Sequence, residues 1–189
     1  MFESAGIDTE SLTVVLVAGG SAREVLSVLG ADSDVVELDS LQDIDFSAYA
    51  VAEVEGGVIA FEHTGYADPS VSVLAALSEL GGASAVTRSN IQAHERFGCA
   101  RGGVVEFDSH EFRYVEEDEK AAVPAELRPL FESAWIDPEA DEDDLDASDA
   151  WVGMEMAVLH TGVRPAVGDL RRAIEAGYHR VRSLTYLEE

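Results

Sequence analysis

The chain has 189 residues, 38 acidic against 12 basic side chains, a formal net charge of −26 and a hydrophobic fraction of 47%. That length and apolar content suit one domain with a real core. The charge repels nucleic-acid phosphate and anionic membrane, which excludes DNA or RNA binding through a basic groove. Lys120 is the single lysine, so the remaining basic residues are all arginine, and Cys99 has no second cysteine with which to form an internal disulfide.

The stretch "SLTVVLVAG" (11–19) reads as a buried strand, and "SAREVLSVLGA" (21–31) as a helix with Val25, Leu26, Val28 and Leu29 on one stripe. "DVVELD" (34–39) reads as a short strand. "YAVAEVEGGVIAFEHTG" (49–65) is a hairpin signal, with Gly56-Gly57 expected at its turn. "SVLAALSEL" (72–80) reads as an apolar helix stopped by Gly81-Gly82. "ASAVTRS", "AHERFGCARGG" and "VVEFD" follow as strands, with a second hairpin turn at Gly102-Gly103. A short helix is expected near 125–135 after Pro124, and two more in "AWVGMEMAVLHTGV" and "PAVGDLRRAIEAGY".

The fold class that follows is α+β. It comprises a mostly antiparallel sheet of about five to seven strands, helices packed on one face and a helical C-terminal region. Three stretches are expected: a core domain over 1–116, an acidic segment with a short helix over 117–150, and C-terminal helices over 151–189 that pack on the core. No stretch of about 18 apolar residues occurs, and the opening residues lack a basic segment followed by an apolar one. The expectation is therefore a cytoplasmic protein with no membrane partner. Sequence alone fixes no oligomeric state.

The Gly19-Gly20 corner between the first strand and helix invites comparison with a phosphate loop. A dinucleotide fingerprint starting at Gly19 would need glycine where Ser21 and Glu24 stand, and no lysine is near enough for a P-loop. Ser21 and Glu24 instead have capping-box spacing, which places a carboxylate at the helix end that a phosphate would need. Asp39 has the spacing of a ribose-binding acid, but acids are abundant here. The corner is read as structural, and no cofactor is expected.

No metal site is expected either. The acidic segment 137–149 has eight carboxylates, but it places neither glycine at position 6 nor glutamate at position 12 of a calcium loop. H-E-x-x-H and C-x-x-C are both missing from the sequence. Cys99 with His94 or His110 as base would make a nucleophile pair, but a single strand cysteine is far more often a small core residue. No catalytic residue is assigned.

Two regions remain as binding candidates. Asp141, Glu142, Asp143 and Asp144, flanked by Trp135 and Trp151, form a contact region for a basic protein partner. Arg88, Asn90, His94, Arg96 and Arg101 gather basic and polar groups in an otherwise acidic chain. On alternating strand faces they would line a small-molecule site or, more plainly, pair with neighbouring acids. The acidity itself has three readings: a solvated, salt-adapted surface, a surface facing a basic partner, or an imitation of nucleic-acid phosphates.

The segments "LTVVLVAGGSAREVLSVLGAD", "GGVIAFEHTGYADPSVSVLAALS", "SNIQAHERFGCARGGVVEFDSHEF" and "MEMAVLHTGVRP" follow one another in an order that resembles an actinobacterial, Streptomyces-type domain-of-unknown-function family. The matching residues are Gly57, Glu62 and Gly65, then Arg88, Asn90 and Ala93, then Phe97, Gly103 and Phe107. The pattern departs at Val58, where the family has tryptophan, and at Ile91-Gln92. The resemblance implies an α+β domain and carries over no catalytic residue. By class analogy with small acidic domains, the leading expectation is a non-catalytic protein-binding domain of immunity, inhibitor or regulatory type.

Overall fold

The run Leu12–Ala18 forms strand β1, and its uninterrupted apolar character follows from burial on both faces of the sheet. Leu12, Val14 and Leu16 enter one core, while Val15 and Val17 enter the other. The computed structural model describes residues 1–9, 11–31, 34–36, 46–63, 66–89, 95–136 and 151–182. Around β1 lie β2 (Val35–Val36), β3 (Phe46–Val54), β4 (Gly57–Glu62), β5 (Ala83–Ser89), β6 (Glu95–Arg101), β7 (Val104–Ser109) and β8 (Tyr178–Arg182). They form one eight-stranded sheet in the order β2-β8-β3-β4-β1-β5-β6-β7. Every neighbouring pair is antiparallel. The α+β class is as expected, with more strands than the estimate allowed.

Helices cover both faces. α2 (Ala22–Val28) and α3 (Val71–Gly81) enclose a smaller core with Val25, Leu74, Leu77 and Val86. On the other face, α1 (Phe2–Ala5), α4 (Arg128–Ala134), α5 (Val152–Thr161) and α6 (Val167–Ala176) enclose a larger core rich in phenylalanine. The C-terminal stretch does more than pack on this core. β8 inserts between β2 and β3, so residues distant in sequence complete the sheet. Among the described residues, no helix is long and apolar enough to cross a membrane.

The glycine corner is structural. Gly19 and Gly20 both have positive φ, and the Gly19 amide donates to the Gly56 carbonyl at 2.9 Å. Ser21 caps α2: its amide donates to Glu24 Oε2 at 2.9 Å, and the Glu24 amide donates to Ser21 Oγ at 3.3 Å. Glu53 Oε1 accepts from the Ala22 amide at 3.1 Å, so a second carboxylate occupies the same helix end. The hydrogen bonds that Glu24 Oε2 accepts from the Ser21 hydroxyl, at 2.7 Å, and from the Ser21 amide hold the exposed Glu24 carboxyl below its usual range.

The first hairpin differs by one residue from expectation. Val54 pairs with Gly57, which leaves Glu55 and Gly56 as the turn. Only Gly56 needs positive φ, whereas Gly57 is a strand residue whose absent Cβ lets the Val17 carbonyl approach. The second hairpin turns at Gly102-Gly103, both with positive φ, as its sequence indicated.

Candidate functional site

Arg88 and Arg96 are cross-strand partners on β5 and β6, and both reach Asp68 in the turn before α3. Arg88 Nη1 donates to Asp68 Oδ2 at 3.1 Å. Arg96 Nη1 donates to Asp68 Oδ1 and to the Pro69 carbonyl, while its Nε donates to Asp108 Oδ1 at 2.9 Å. Arg96 is only 2% exposed, and Asp68 is buried with it. Two carboxylates and a carbonyl replace the water that a guanidinium so placed gives up. Gly98 makes the arrangement possible: a Cβ there would collide with the Asp108 carboxylate.

This cluster forms part of an open groove of about 580 Å³, bordered by Ser70, Ser72, Val104 and His110 among others. His110 Nδ1 lies 3.5 Å from Asp68 Oδ2. Tyr49 is buried beside Asp68 and Pro69, and its hydroxyl has no hydrogen-bond partner among the described residues. Burial, reinforced by the carboxylates of Glu62 and Asp68, holds the Tyr49 hydroxyl well above its usual ionisation range.

Arg101 does not join Arg88 and Arg96. Odd-numbered β6 residues Phe97 and Cys99 face the larger core, and Arg101 continues that side toward α5. Its Nη2 lies 3.3 Å from His160 Nδ1 and 3.4 Å from Glu126 Oε1, and its Nε lies 3.5 Å from Glu106 Oε1. The polar residues read as one stripe are thus divided between the two faces. Asn90 and His94 lie outside the described residues.

Cys99 is likewise separated from one suggested base, because His110 stands against Asp68 on the other side of the sheet. Its neighbours are Glu106 and His160, whose ligand atoms lie with its sulfur within 4.8 Å of one another. Among the described residues these three are the group able to hold a metal ion. Burial pushes the Cys99 thiol up to about 12, with the Glu106 carboxylate adding to the shift. A thiol held there is protonated and a poor nucleophile. Sequence reasoning weighed Cys99 with His94 or His110 and passed over Glu106 and His160, which fit no short motif.

Of the acidic contact region, Asp141, Glu142, Asp143 and Asp144 lie outside the described residues, while both flanking tryptophans are placed. Trp135 is half-buried, donates Nε1–H to the Val115 carbonyl at 2.8 Å and carries Lys120 Nζ 3.1 Å above its ring. Trp151 is half-buried and stacks on Phe2 with ring centroids 5.5 Å apart. Each therefore packs part of its ring against the larger core. Comparison with family models, with curated proteins and with solved structures finds no match, so the family resemblance rests on motif order alone.

Proposed function

We propose that this protein is a non-catalytic binding domain that recognises a basic protein partner through its acidic surface, in an immunity, inhibitor or regulatory role. The observation that carries the reading is where the positive charge sits. Arg88, Arg96, Arg101, Arg113 and Arg172 each pair with a carboxylate of the same chain, as does Lys120. Arg128 and Arg171 donate to backbone carbonyls. With these eight of its 12 basic side chains engaged internally, a chain of formal charge −26 presents a largely anionic exterior, which favours a cationic partner and repels nucleic acid. The eight carboxylates of 137–149 lie between Trp135 and Trp151, and this stretch is the proposed contact.

The test is capture from native host lysate at low and moderate salt, followed by titration of the purified partner. One basic protein bound at fixed stoichiometry, weakened by salt and lost when Asp141–Asp144 become Asn or Gln, is the expected result. Retention of binding after that neutralisation removes the proposed contact, and a blank at both salts removes the reading. Competition between the protein and DNA for the captured partner would identify it as a nucleic-acid mimic.

A second reading, a small-molecule site, is favoured by the groove beside Arg96, where serine hydroxyls and His110 surround a partly apolar floor. A ligand-specific rise in melting temperature that is lost in His110→Ala and Ser72→Val would support it.

A further inference from the structure

We propose that Cys99, Glu106 and His160 form a binding site for a divalent transition metal of the zinc class, with Arg101 standing at its mouth. The three ligands come from three elements, β6, β7 and α5, and two of them are buried. The sheet is bent to bring them together. Cys99 pairs with Phe107 while Ala100 pairs with Val105, so Glu106 is the extra residue of a bulge. As a result Val105 packs toward the smaller core and Phe107 toward the larger one, two residues that an unbroken strand would place on the same face. The bulge turns Glu106 toward Cys99 and His160, a re-aiming that bulges commonly perform.

The histidine is prepared for coordination. His160 Nε2 lies 3.0 Å from the Ala100 carbonyl, which can only accept, so Nε2 is the donor there and Nδ1 is the nitrogen that faces Glu106 and Arg101. A backbone carbonyl that fixes the other ring nitrogen is the usual support of a metal-binding imidazole. Arg101 already directs positive charge at the same point, with Nη2 3.3 Å from Nδ1 and Nε 3.5 Å from Glu106. Its side chain is 47% exposed and also touches Glu126, so it can withdraw when a dication takes its place. Thiolate, imidazole and carboxylate together suit Zn²⁺ or Co²⁺ better than Ca²⁺ or Mg²⁺. Tetrahedral bonds of about 2.0–2.3 Å require ligand atoms roughly 3.3–3.6 Å apart. The three ligand atoms already lie within 4.8 Å of one another, and Glu106, the exposed member, has side-chain freedom to move toward the other two. On coordination the thiol proton passes to solvent.

The experiment is titration of the full chain with Co²⁺, read by absorption. Expected is a thiolate-to-cobalt charge-transfer band that saturates at one equivalent, together with visible bands of tetrahedral intensity, both removed by Zn²⁺. Cys99→Ser should abolish the charge-transfer band, and Glu106→Gln or His160→Gln should weaken binding by at least roughly tenfold. Glu106 is exposed, so its variant keeps the test valid if either buried substitution unfolds the chain. Arg101→Ala should bind at least as tightly as the parent. Cobalt bound to surface carboxylates alone would give no thiolate band, and that result overturns the site, as does a band that survives in Cys99→Ser.

Discussion

Replacing Arg96 by Met tests whether the arginines of β5 and β6 act as internal ties or as a waiting ligand site. Met preserves much of the aliphatic stem and removes only the guanidinium. Arg96 is 2% exposed and joins Asp68, Asp108 and the Pro69 carbonyl. Without it, Asp108 loses its cation and Asp68 retains Arg88. Breaking a buried pair by removing one partner costs about 3–5 kcal/mol, because the remaining carboxylate is desolvated and uncompensated. For a chain of 189 residues, an unfolding entropy of about 2.1 cal/mol/K per residue turns that loss into a fall of roughly 8–12 °C in Tm. The assay is urea and thermal unfolding followed by circular dichroism, with Asp108→Asn and the double variant completing a cycle. Coupling of at least about 1 kcal/mol between the two positions is expected. A loss below about 1 kcal/mol for Arg96→Met would refute the reasoning, since a surface-type pair is worth no more than that. Arg96 would then be available to a ligand.

Three further outcomes follow from the same geometry. Gly98→Ala should destabilise by about 1–3 kcal/mol in urea unfolding, because its Cβ meets the Asp108 carboxylate while Leu74 and Val86 leave no room to retreat. Tyr49→Phe should raise the urea midpoint by about 1 kcal/mol equivalent, since the hydroxyl is buried without a partner among the described residues. Its folded-state ionisation is raised, so the Tyr49 contribution is intact below pH about 10 and falls by about 1.4 kcal/mol per pH unit above it. The advantage of Tyr49→Phe over the parent should therefore widen on the alkaline side. Raising KCl from about 0.1 to 1 M, which shortens the Debye length from roughly 10 to 3 Å, should raise Tm by screening the net charge of −26. A flat or falling Tm would show that self-repulsion is already balanced.

Local signals carried most of the elements. The β-branched run of β1, the Ser21–Glu24 box and the paired glycines at 102–103 each have a direct backbone consequence that needs no distant partner. The turn at Glu55-Gly56 was displaced by one residue because Gly57 is required by the approach of the Val17 carbonyl, a contact sequence does not display. β8 escaped notice for a related reason. "YHRVR" alternates Tyr178 and Arg180 with His179 and Val181, a weak strand signal that becomes a strand only when β2 and β3 supply its partners. At the candidate sites, sequence brought Arg88 and Arg96 near one another but assigned Arg101 to the same group. Asp68, Asp108 and His160 became visible only through the fold, because their partners lie 12 to 60 residues away, and Glu106 only through the bulge that breaks the regular pairing of β6 and β7.

The ionic cluster and the proposed metal site share one piece of sheet, the β6–β7 pair, and use its opposite faces. Arg96 and Asp108 tie the turn before α3 to one face, while Cys99 and Glu106 meet α5 on the other. The bulge at Glu106 separates the two functions by redirecting successive side chains of β7. A buried ion pair adds little net stability over well-packed apolar residues, but it does specify which segments meet. Here it fixes the approach of α3 to a sheet edge that must also hold the bulge. Removing the Arg96 pair should therefore loosen cobalt binding indirectly, whereas removing a ligand should leave the Arg96–Asp108 coupling energy unchanged. That asymmetry distinguishes a scaffold that positions a site from two independent clusters that happen to share a strand.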